Sequence, residues 1–164
     1  MKTTIQQIAL LTLLLASSSA VAGDLDAPSE LSGYNNVAMI DQRGNHHEAT
    51  IIQSGSKNYG AIDQRGNYQR AKLTQNGIQN AASIQQEGSD NFALVEQIGS
   101  QNQVLISQNG ENNHVRAAQF GDHNQVEVVQ HGSRNKVNIE QHGNGLKHEI
   151  IQRGNQMEAS IIQD

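Results

Sequence analysis

Apolar residues alternate with polar ones in short stretches that recur along the chain from residue 36 to the C-terminus. In the first stretch Ala38 and Ile40 stand two residues apart, and in the second stretch Ala49 and Ile51 do the same. The spacing between successive stretches is 11 residues, and it holds through twelve copies. Because successive side chains of a strand point to opposite faces, this alternation predicts a half-buried β-strand in every copy.

Each predicted strand ends at a glutamine that is followed two residues later by a glycine. The glutamines are Gln42, Gln53, Gln64, Gln75, Gln86, Gln97, Gln108, Gln119, Gln130, Gln141, Gln152 and Gln163. The glycines are Gly44, Gly55, Gly66, Gly77, Gly88, Gly99, Gly110, Gly121, Gly132, Gly143 and Gly154. Since glycine adopts backbone angles that other residues resist, the segment Gln-x-Gly-x-x predicts a four-residue turn after a seven-residue strand.

A period of eleven residues also occurs in right-handed helical coiled coils, which are the main alternative to strands. A helix is disfavoured because the glycine in every repeat would cost about 1 kcal/mol relative to alanine. The apolar spacing of two residues also differs from the spacing of three or four that marks one face of a helix. The sequence therefore predicts an all-β fold.

Strands of this length can pair as an antiparallel meander or stack as a two-strand solenoid. In a solenoid with 22 residues in each coil, residue i lies beneath residue i+22, so that identical residues stack on each other. Stacked amides then donate and accept hydrogen bonds along a column, as in the ladders of cross-β structures. The sequence favours this arrangement, an amyloid-like, cross-β, two-sheet β-solenoid of about six 22-residue coils with twelve short strands.

The solenoid predicts ladders of stacked amides, which are the candidate functional residues. One ladder contains Asn36, Asn58, Asn80, Asn102 and Asn124, at the starts of alternate strands. Two further ladders contain Gln42, Gln64, Gln86, Gln108, Gln130 and Gln152, and Gln53, Gln75, Gln97, Gln119, Gln141 and Gln163. Each hydrogen bond in such a ladder contributes about 1 kcal/mol, and a buried amide left unpaired costs more than that.

The first 22 residues stand outside the repeat and have the pattern of a secretory signal peptide. Lys2 gives a positive start, residues 8–16 are apolar, and Ala20 and Ala22 form a small-x-small cleavage site. An uncleaved membrane anchor is the alternative, although the apolar stretch is short for a spanning helix. The sequence thus predicts a signal peptide at 1–22, a flexible segment at 23–32 and the repeat domain at 33–164.

Composition limits the chemistry that this chain can perform. The net charge is −5, the positive residues are scattered and only 3% of residues are aromatic, which argues against nucleic-acid binding. The chain has no cysteine and is only 35% hydrophobic, so its stability must come from the repeated ladders. Its seven histidines show no metal-binding spacing, and no catalytic constellation stands outside the repeat. We therefore predict no enzyme activity, metal, cofactor or small-molecule substrate.

The motif Asn-x-Ala-x-Ile-x-Gln-x-Gly, doubled into a 22-residue unit in an exported chain without cysteine, resembles the curlin repeat of bacterial curli fimbriae. The resemblance covers residues 33–164. It implies a structural subunit of an extracellular amyloid fibre, exported through the periplasm to the bacterial cell surface. The partners that it implies are copies of the same chain stacked head to tail, the major curlin subunit, and the outer-membrane machinery for curli export and assembly.

The two ends of the chain bear on which curlin subunit it resembles. Residues 23–32 resemble the minor subunit, the surface nucleator, more than the glycine-rich start of the major subunit. In the last repeat Leu146 and Met157 replace asparagine, and His148 replaces a small apolar residue, so these three are candidates for surface anchoring. The alternatives are a major fibre-forming subunit and, from another class, a monomeric secreted adhesin or binding solenoid. The repeat runs to Gln163 without a capping pattern, which favours a fibre over a monomer.

Overall fold

The computed structural model describes residues 8–13, 17–23 and 35–164, and within these ranges it contains β-strands joined by short bends. The repeat region holds one strand in each 11-residue copy. These strands are β3 (Val37–Asn45), β4 (Glu48–Ser56), β5 (Tyr59–Asn67), β6 (Arg70–Ile78), β7 (Ala81–Ser89), β8 (Phe92–Ser100), β9 (Gln103–Glu111), β10 (His114–Asp122), β11 (Gln125–Ser133), β12 (Lys136–His142), β13 (Lys147–Asn155) and β14 (Glu158–Gln163). In the described part of the chain no helix is long and apolar enough to span a membrane.

Successive strands alternate between two sheets, which we name the odd sheet and the even sheet after their strand numbers. The odd sheet runs β3-β5-β7-β9-β11-β13, and the even sheet runs β4-β6-β8-β10-β12-β14. Neighbouring strands in each sheet are parallel, and residue i pairs with residue i+22, as Gln42 does with Gln64. The predicted all-β solenoid of six two-strand coils is thus confirmed.

The core is a thin layer between the two sheets, to which each strand from β3 to β12 contributes two apolar side chains, except β5, which contributes Ile62 alone. These side chains are 0–3% exposed, and Ile40, Ile51, Leu73 and Ile84 are among the largest of them. The ladder glutamines from Gln42 to Gln152 and the asparagines of the two columns are equally buried. A register slip of one residue would turn the apolar set outward, so the alternating pattern fixes the register.

The strands are longer and the bends shorter than the sequence predicted. Most strands span nine residues and continue through the glycine, so that only two residues separate β3 from β4. The first of these two residues has a left-handed backbone, with φ between 54° and 61° at His46, Lys57, Tyr68, Gln79, Asp90, Gln101, Asn112, His123, Arg134 and Gln156. The prediction of a four-residue glycine turn is therefore wrong, because a residue other than glycine makes the sharp bend.

The glycines are required by the close approach of neighbouring coils. Gly99 lies within β8 with a φ of 120°, and a Cβ at this position would overlap the carbonyl oxygen of Gly121 in the next coil. The same contact recurs at the equivalent glycines from Gly44 to Gly132. Any side chain at these positions would push the coils apart, which explains why glycine returns in every repeat.

Two further strands precede the repeat and extend each sheet to seven strands. The first, β1 (Ile8–Leu13), pairs with β4, and the second, β2 (Ser17–Gly23), pairs with β3, both in the antiparallel sense. These strands overlap the segment predicted to be a signal peptide, and its cleavage remains a prediction. Residues 24–32 of the predicted flexible segment lie outside the described residues.

Substitution at Gly99 should separate the role of the glycine from that of the bend. Gly99→Ala is expected to lower the stability of the solenoid by more than about 2 kcal/mol, because it adds a clash to an unfavourable backbone angle. Gln101→Gly, two residues away in the bend, should be neutral or stabilise by up to about 1 kcal/mol, since glycine adopts left-handed angles without strain. Denaturation midpoints in guanidinium chloride compare the two variants, and equal losses would contradict these roles.

Candidate functional site

The predicted glutamine ladders are continuous chains of hydrogen bonds through the interior. In the odd sheet the Nε2 of Gln42 donates to Oε1 of Gln64, and the same bond repeats to Gln152. In the even sheet the equivalent bonds run from Gln53 to Gln141. All of these bonds are 2.7–2.9 Å long and every amide donates towards the C-terminal end.

From Gln53 to Gln130, each of these amides also connects the two sheets. The Nε2 of Gln53 in β4 donates to the carbonyl oxygen of Val37 in β3, 2.9 Å away. The same bond to a carbonyl sixteen residues earlier recurs along the solenoid, at 3.0 Å from Gln75 to Tyr59 and 3.1 Å from Gln108 to Phe92. The glutamine therefore uses both amide hydrogens, one along its column and one across the core. Full use of these groups lets an amide be buried without a desolvation penalty.

The asparagine columns bond to the backbone of the bends rather than mainly to each other. The Oδ1 of Asn36 accepts a hydrogen bond from the backbone N–H of Asn58, 3.0 Å away, and Asn58 stands in the same relation to Asn80. The Nδ2 atoms donate to glycine carbonyls in the facing sheet, as from Asn80 to Gly99 at 2.9 Å. Amide-to-amide bonding along this column is present between Asn36 and Asn58. Asparagine thus satisfies the polar backbone where the chain bends.

The other asparagine column starts with two substitutions. His47 and Gln69 occupy the positions that Asn91, Asn113 and Asn135 hold in later coils. The Nδ1 of His47 accepts from the N–H of Gln69 at 3.3 Å, and Gln69 still donates to the carbonyl of Gly88. The Oε1 of Gln69 is buried and has no hydrogen-bond partner. This defect shows that the body of the solenoid tolerates an imperfect bend at a cost in hydrogen bonding.

The two glutamine columns end differently at the two ends of the solenoid. In the first coil the Oε1 atoms of Gln42 and Gln53 are buried and have no hydrogen-bond partner. Near the other end the buried Nε2 of Gln141 has no partner either, and the Oε1 of Gln163 instead contacts Nε2 of His148. The first coil therefore presents two acceptors, whereas the last coil interrupts the even ladder.

The candidate anchoring residues all lie in the last coil, at its two bends and in β13. His148 stacks under Val126 at an inward position, and Leu146 and Met157 stand at the two bends where asparagine is missing. Their backbone N–H groups still donate to Asn124 and to the preceding asparagine of the other column. The main chain of the last coil therefore follows the repeat, and the departure is confined to its side chains.

Stacked like charges on the outer face are balanced within their own strands. Asp41 lies over Asp63 and Arg43 lies over Arg65 in the parallel register. Arg43 pairs with Asp41 at 3.0 Å, and Arg65 pairs with Asp63 at 2.7 Å. These pairs are largely exposed, so each stabilises the fold by about 0–1 kcal/mol.

Other ion pairs connect one coil to the next. Arg70 contacts Glu48 at 2.9 Å, and Lys136 contacts Glu158 at the same distance. Both pairs lie in the outward column of the even sheet that starts each strand. Neighbouring coils can therefore be matched or mismatched in charge at this column.

Aromatic rings also stack on the outer face from coil to coil. The ring of His114 lies on Phe92 with centroids 4.5 Å apart. Partial burial, with smaller effects from Arg116 and Lys136, lowers the pKa of His114 below its ordinary value. The lowered pKa favours the uncharged ring, which stacks as an aromatic surface. Two other stacks of this kind join His46 to Tyr68 and Phe120 to His142.

The outer surface offers little for small-molecule chemistry. One polar groove crosses the odd sheet between Asp63 and His131, and another lies along the bends between Glu111 and Gln156. Ligand sites are usually apolar and enclosed, with a few converging polar groups. Among the described residues, no three histidine, aspartate or glutamate side chains are grouped to hold a metal.

The comparison with known families identifies the repeat. The curlin associated repeat model matches residues 32–55, 48–77, 77–110, 99–132 and 110–143. Together these matches cover residues 32–143, well over half of the 164 residues. The chain belongs to the curlin repeat family. Neither the curated proteins nor the solved structures contain a match.

Membership in the curlin repeat family indicates that the ladders belong to a fibre-forming protein. The chain is a structural subunit of an extracellular curli-type fibre, in which subunits assemble with one another. In such a fibre the edges of the two sheets are the surfaces to which the next subunit adds. The unpaired acceptors of Gln42 and Gln53 lie in β3 and β4, directly beside the edge strands β2 and β1, and β13 and β14 form the opposite edges.

Several residues that shape this arrangement were not found from the sequence. Ten non-glycine residues with a left-handed backbone form the bends, and their side chains are as different as those of Lys57 and Tyr68. No residue type therefore marks the bends in the sequence. The pairing of Gln163 with His148 depends on the side-chain direction at an end, which the period does not specify. The one sequence feature that pointed to this contact is His148, a histidine at a position that is small and apolar in most other repeats.

The ladder can be tested at Gln97 in the middle of the even column. Gln97→Ala removes the acceptor of Gln75 and the donor of Gln119, and we expect a loss of about 2–4 kcal/mol and slower assembly. Gln101→Ala in an exposed bend and Gln85→Ala on the outer face are matched controls and should change stability by less than about 0.5 kcal/mol. Denaturation midpoints and assembly rates measure both effects. A similar loss in all three variants would exclude a special role for the inward register.

Proposed function

We propose that this curlin repeat chain is the minor subunit, which nucleates polymerisation of the major subunit at the bacterial cell surface during adhesion and biofilm formation. The observation that carries this proposal is the difference between the two ends of the solenoid. The first coil keeps both ladder glutamines and presents their unpaired acceptors, Gln42 and Gln53. The last coil departs from the repeat at Leu146, His148 and Met157.

The regular coils supply what a nucleus needs. A free chain that starts a fibre alone must fix its backbone before it gains many hydrogen bonds, which makes this first step slow. An existing sheet edge lets the incoming chain form backbone and amide bonds as each of its residues becomes ordered. The parallel register with identical residues stacked is the same in every coil, so a chain with the same repeat can continue it. The sheet edges of this chain thus act as the template.

The last coil supplies apolar surface for attachment. Ile151, Met157 and Ile162 are 48%, 39% and 68% exposed. Ile151 and Ile162 point outward from opposite sheets, so the last coil carries exposed apolar side chains on both of its faces. The proposed anchor is the last coil, held against the outer-membrane curli assembly machinery after export. In this scheme residues 1–22 direct the chain to the periplasm and are removed.

Two other functions compete with this proposal. A major fibre-forming subunit is favoured by the regularity of the first five coils, whose ladders would continue from copy to copy. A monomeric adhesin requires covered sheet edges, because open parallel edges pair with other chains. The assembly experiments below separate these possibilities by asking whether the chain forms fibres and whether it accelerates another curlin subunit.

The chain from Gly23 to Asp164 is expected to form β-rich fibres that bind amyloid dyes and give diffraction at about 4.8 and 10 Å. A substoichiometric amount of it should shorten the lag of a purified major curlin subunit. Dye fluorescence and fibre diffraction measure these outcomes. A chain that stays monomeric at high micromolar concentration would support the adhesin, and fibres that fail to seed the major subunit would contradict the nucleating function.

Deletion of residues 145–164 tests the division of roles between the two ends. The shortened chain keeps the first five coils, so it should still seed the major subunit in solution. It lacks the proposed anchor, so it should be released from cells into the medium. Immunoblots of cell and medium fractions, together with seeding assays, provide the measurement. Retention of the shortened chain on cells with loss of its seeding activity would reverse the assignment of the ends.

A further inference from the structure

Head-to-tail stacking of two copies would bring the last coil of one copy against the first coil of the next. The parallel register of the solenoid defines this contact, because each residue pairs with the residue one coil further on. Continued across the junction, this register sets β13 against β3 and β14 against β4. The residues that would meet are therefore fixed by the sequence of the two terminal coils.

The last coil does not match the first coil in charge. Glu158 would face Glu48, and Arg153 would face Arg43, so that both contacts join like charges. Within the solenoid the column that holds Glu48 and Glu158 is instead matched to cations, by Arg70 at 2.9 Å and Lys136 at 2.9 Å. Like charges placed directly opposite each other in neighbouring strands are unfavourable.

The last coil also fails to continue the even glutamine ladder and the asparagine columns. Gln163 should donate to the unpaired Oε1 of Gln53, but its side chain is directed to His148 and already leaves Gln141 without a partner. At the bends, Leu146 and Met157 offer no side-chain acceptor for the next copy, whereas Asn124 and Asn135 accept from the backbone N–H groups of the coil above them. The junction thus loses amide bonds that every internal contact between regular coils has.

The fifth coil, by contrast, matches the first coil. If the sixth coil were absent, β11 and β12 would meet β3 and β4 of the next copy. Lys136 would then face Glu48, in the same geometry in which it now contacts Glu158. The unpaired Nε2 of Gln141 would meet the unpaired Oε1 of Gln53. Asn124 would lie over Asn36, as it does over the asparagines of its own column.

We infer that the sixth coil, residues 146–164, is a built-in terminator that prevents the chain from stacking efficiently on copies of itself. The face formed by β3 and β4 is thereby kept for a different chain of the same repeat type. That partner's terminal coil must offer two ladder glutamines with free amide donors and a basic residue opposite Glu48. The inference rests on the proposed nucleating function and adds the reason why such a nucleator extends its own fibres slowly.

Removal of the predicted signal peptide would expose this face. In the full chain β1 and β2 lie antiparallel on β4 and β3, and the register sets Ala9 against Gln53 and Ser18 against Gln42. Neither position carries a glutamine, and both Oε1 acceptors remain unpaired beneath these strands. A parallel coil with glutamine in register would satisfy both atoms, so the occupant that fits is a curlin repeat coil.

The test compares the purified chain from Gly23 to Asp164 with the same chain ending at Asn144. We expect the shorter chain to elongate its own sonicated seeds about tenfold faster, through one restored amide bond and one restored charge pair. Amyloid-dye fluorescence measures the rate, and circular dichroism checks the β-content of both chains. Equal or slower elongation by a folded shorter chain would overturn the inference.

Substitutions assign the change to the end contacts. In the shorter chain Lys136→Glu should return elongation to the slow rate, because it sets a carboxylate against Glu48. Lys72→Glu changes the charge equally but lies within the body of the even sheet, next to Thr50 and Leu94, and should have little effect. Equal slowing by both substitutions would show that net charge, rather than the junction, controls the rate, and the inference would fail.

A full-length variant covers the case in which the shorter chain does not fold. His148→Ala with Arg153→Glu frees Gln163 and turns one repulsive contact into an attractive one. Added to seeds of the unchanged chain, this variant should elongate them faster than the unchanged chain does, and from one end only. Arg116→Glu is the charge-matched control, with the uncharged neighbours Leu94 and Asn138. No gain over this control would overturn the inference.

The same assays separate the inference from the proposed function. The full chain could fail to shorten the lag of a major curlin subunit while the shorter chain still elongates its own seeds faster. This result would support the terminator and contradict the nucleating function. The full chain could instead seed the major subunit and elongate its own seeds as fast as the shorter chain does. This result would support the nucleating function and contradict the terminator.

Discussion

The structure depends on one constraint, that every residue must be compatible with the residue 22 positions further along the chain. Parallel stacking in register places each side chain directly over its equivalent in the next coil. Apolar side chains satisfy this by packing, and glutamine satisfies it by donating to the next glutamine at 2.7–2.9 Å. With at most two buried apolar side chains per strand, the core is small, and the buried amides contribute the specificity that a larger core would provide.

The glutamine ladders also give the solenoid a direction. In every ladder bond the Nε2 donates towards the C-terminal end, so the acceptor of the first glutamine in each column is left over at the N-terminal end. The two ends are therefore chemically different before any difference in sequence is considered. An edge of unpaired acceptors is completed by a coil that brings donors in the same register, and an antiparallel strand cannot repeat that pattern. Polarity of assembly thus follows from the orientation of one side-chain amide.

The eleven-residue period made most of this fold predictable. It placed Ile40 and Ile51 in the core, stacked Gln42 on Gln64, and excluded a helix through its glycines. The period does not reveal where in the repeat the chain bends, because the left-handed position carries unrelated residues and glycine is needed nearby for another reason. Nor does it reveal that asparagine bonds to backbone groups, since stacking alone is compatible with either partner. The local backbone geometry determines the position of the bend and the hydrogen-bond partner of asparagine. The period requires only that both features recur in every repeat.

The position of the irregular residues follows from how many neighbours each coil has. A departure inside the body disturbs contacts with two coils, as Gln69 shows by its buried oxygen without a partner. A departure in the last coil disturbs one internal contact, and His148 keeps its own polar group bonded to Gln163 while the main chain still follows the repeat. The cost to folding is therefore smallest where the effect on assembly is largest. A solenoid can change what it binds at one end while the remaining coils, and the stability that they provide, stay the same.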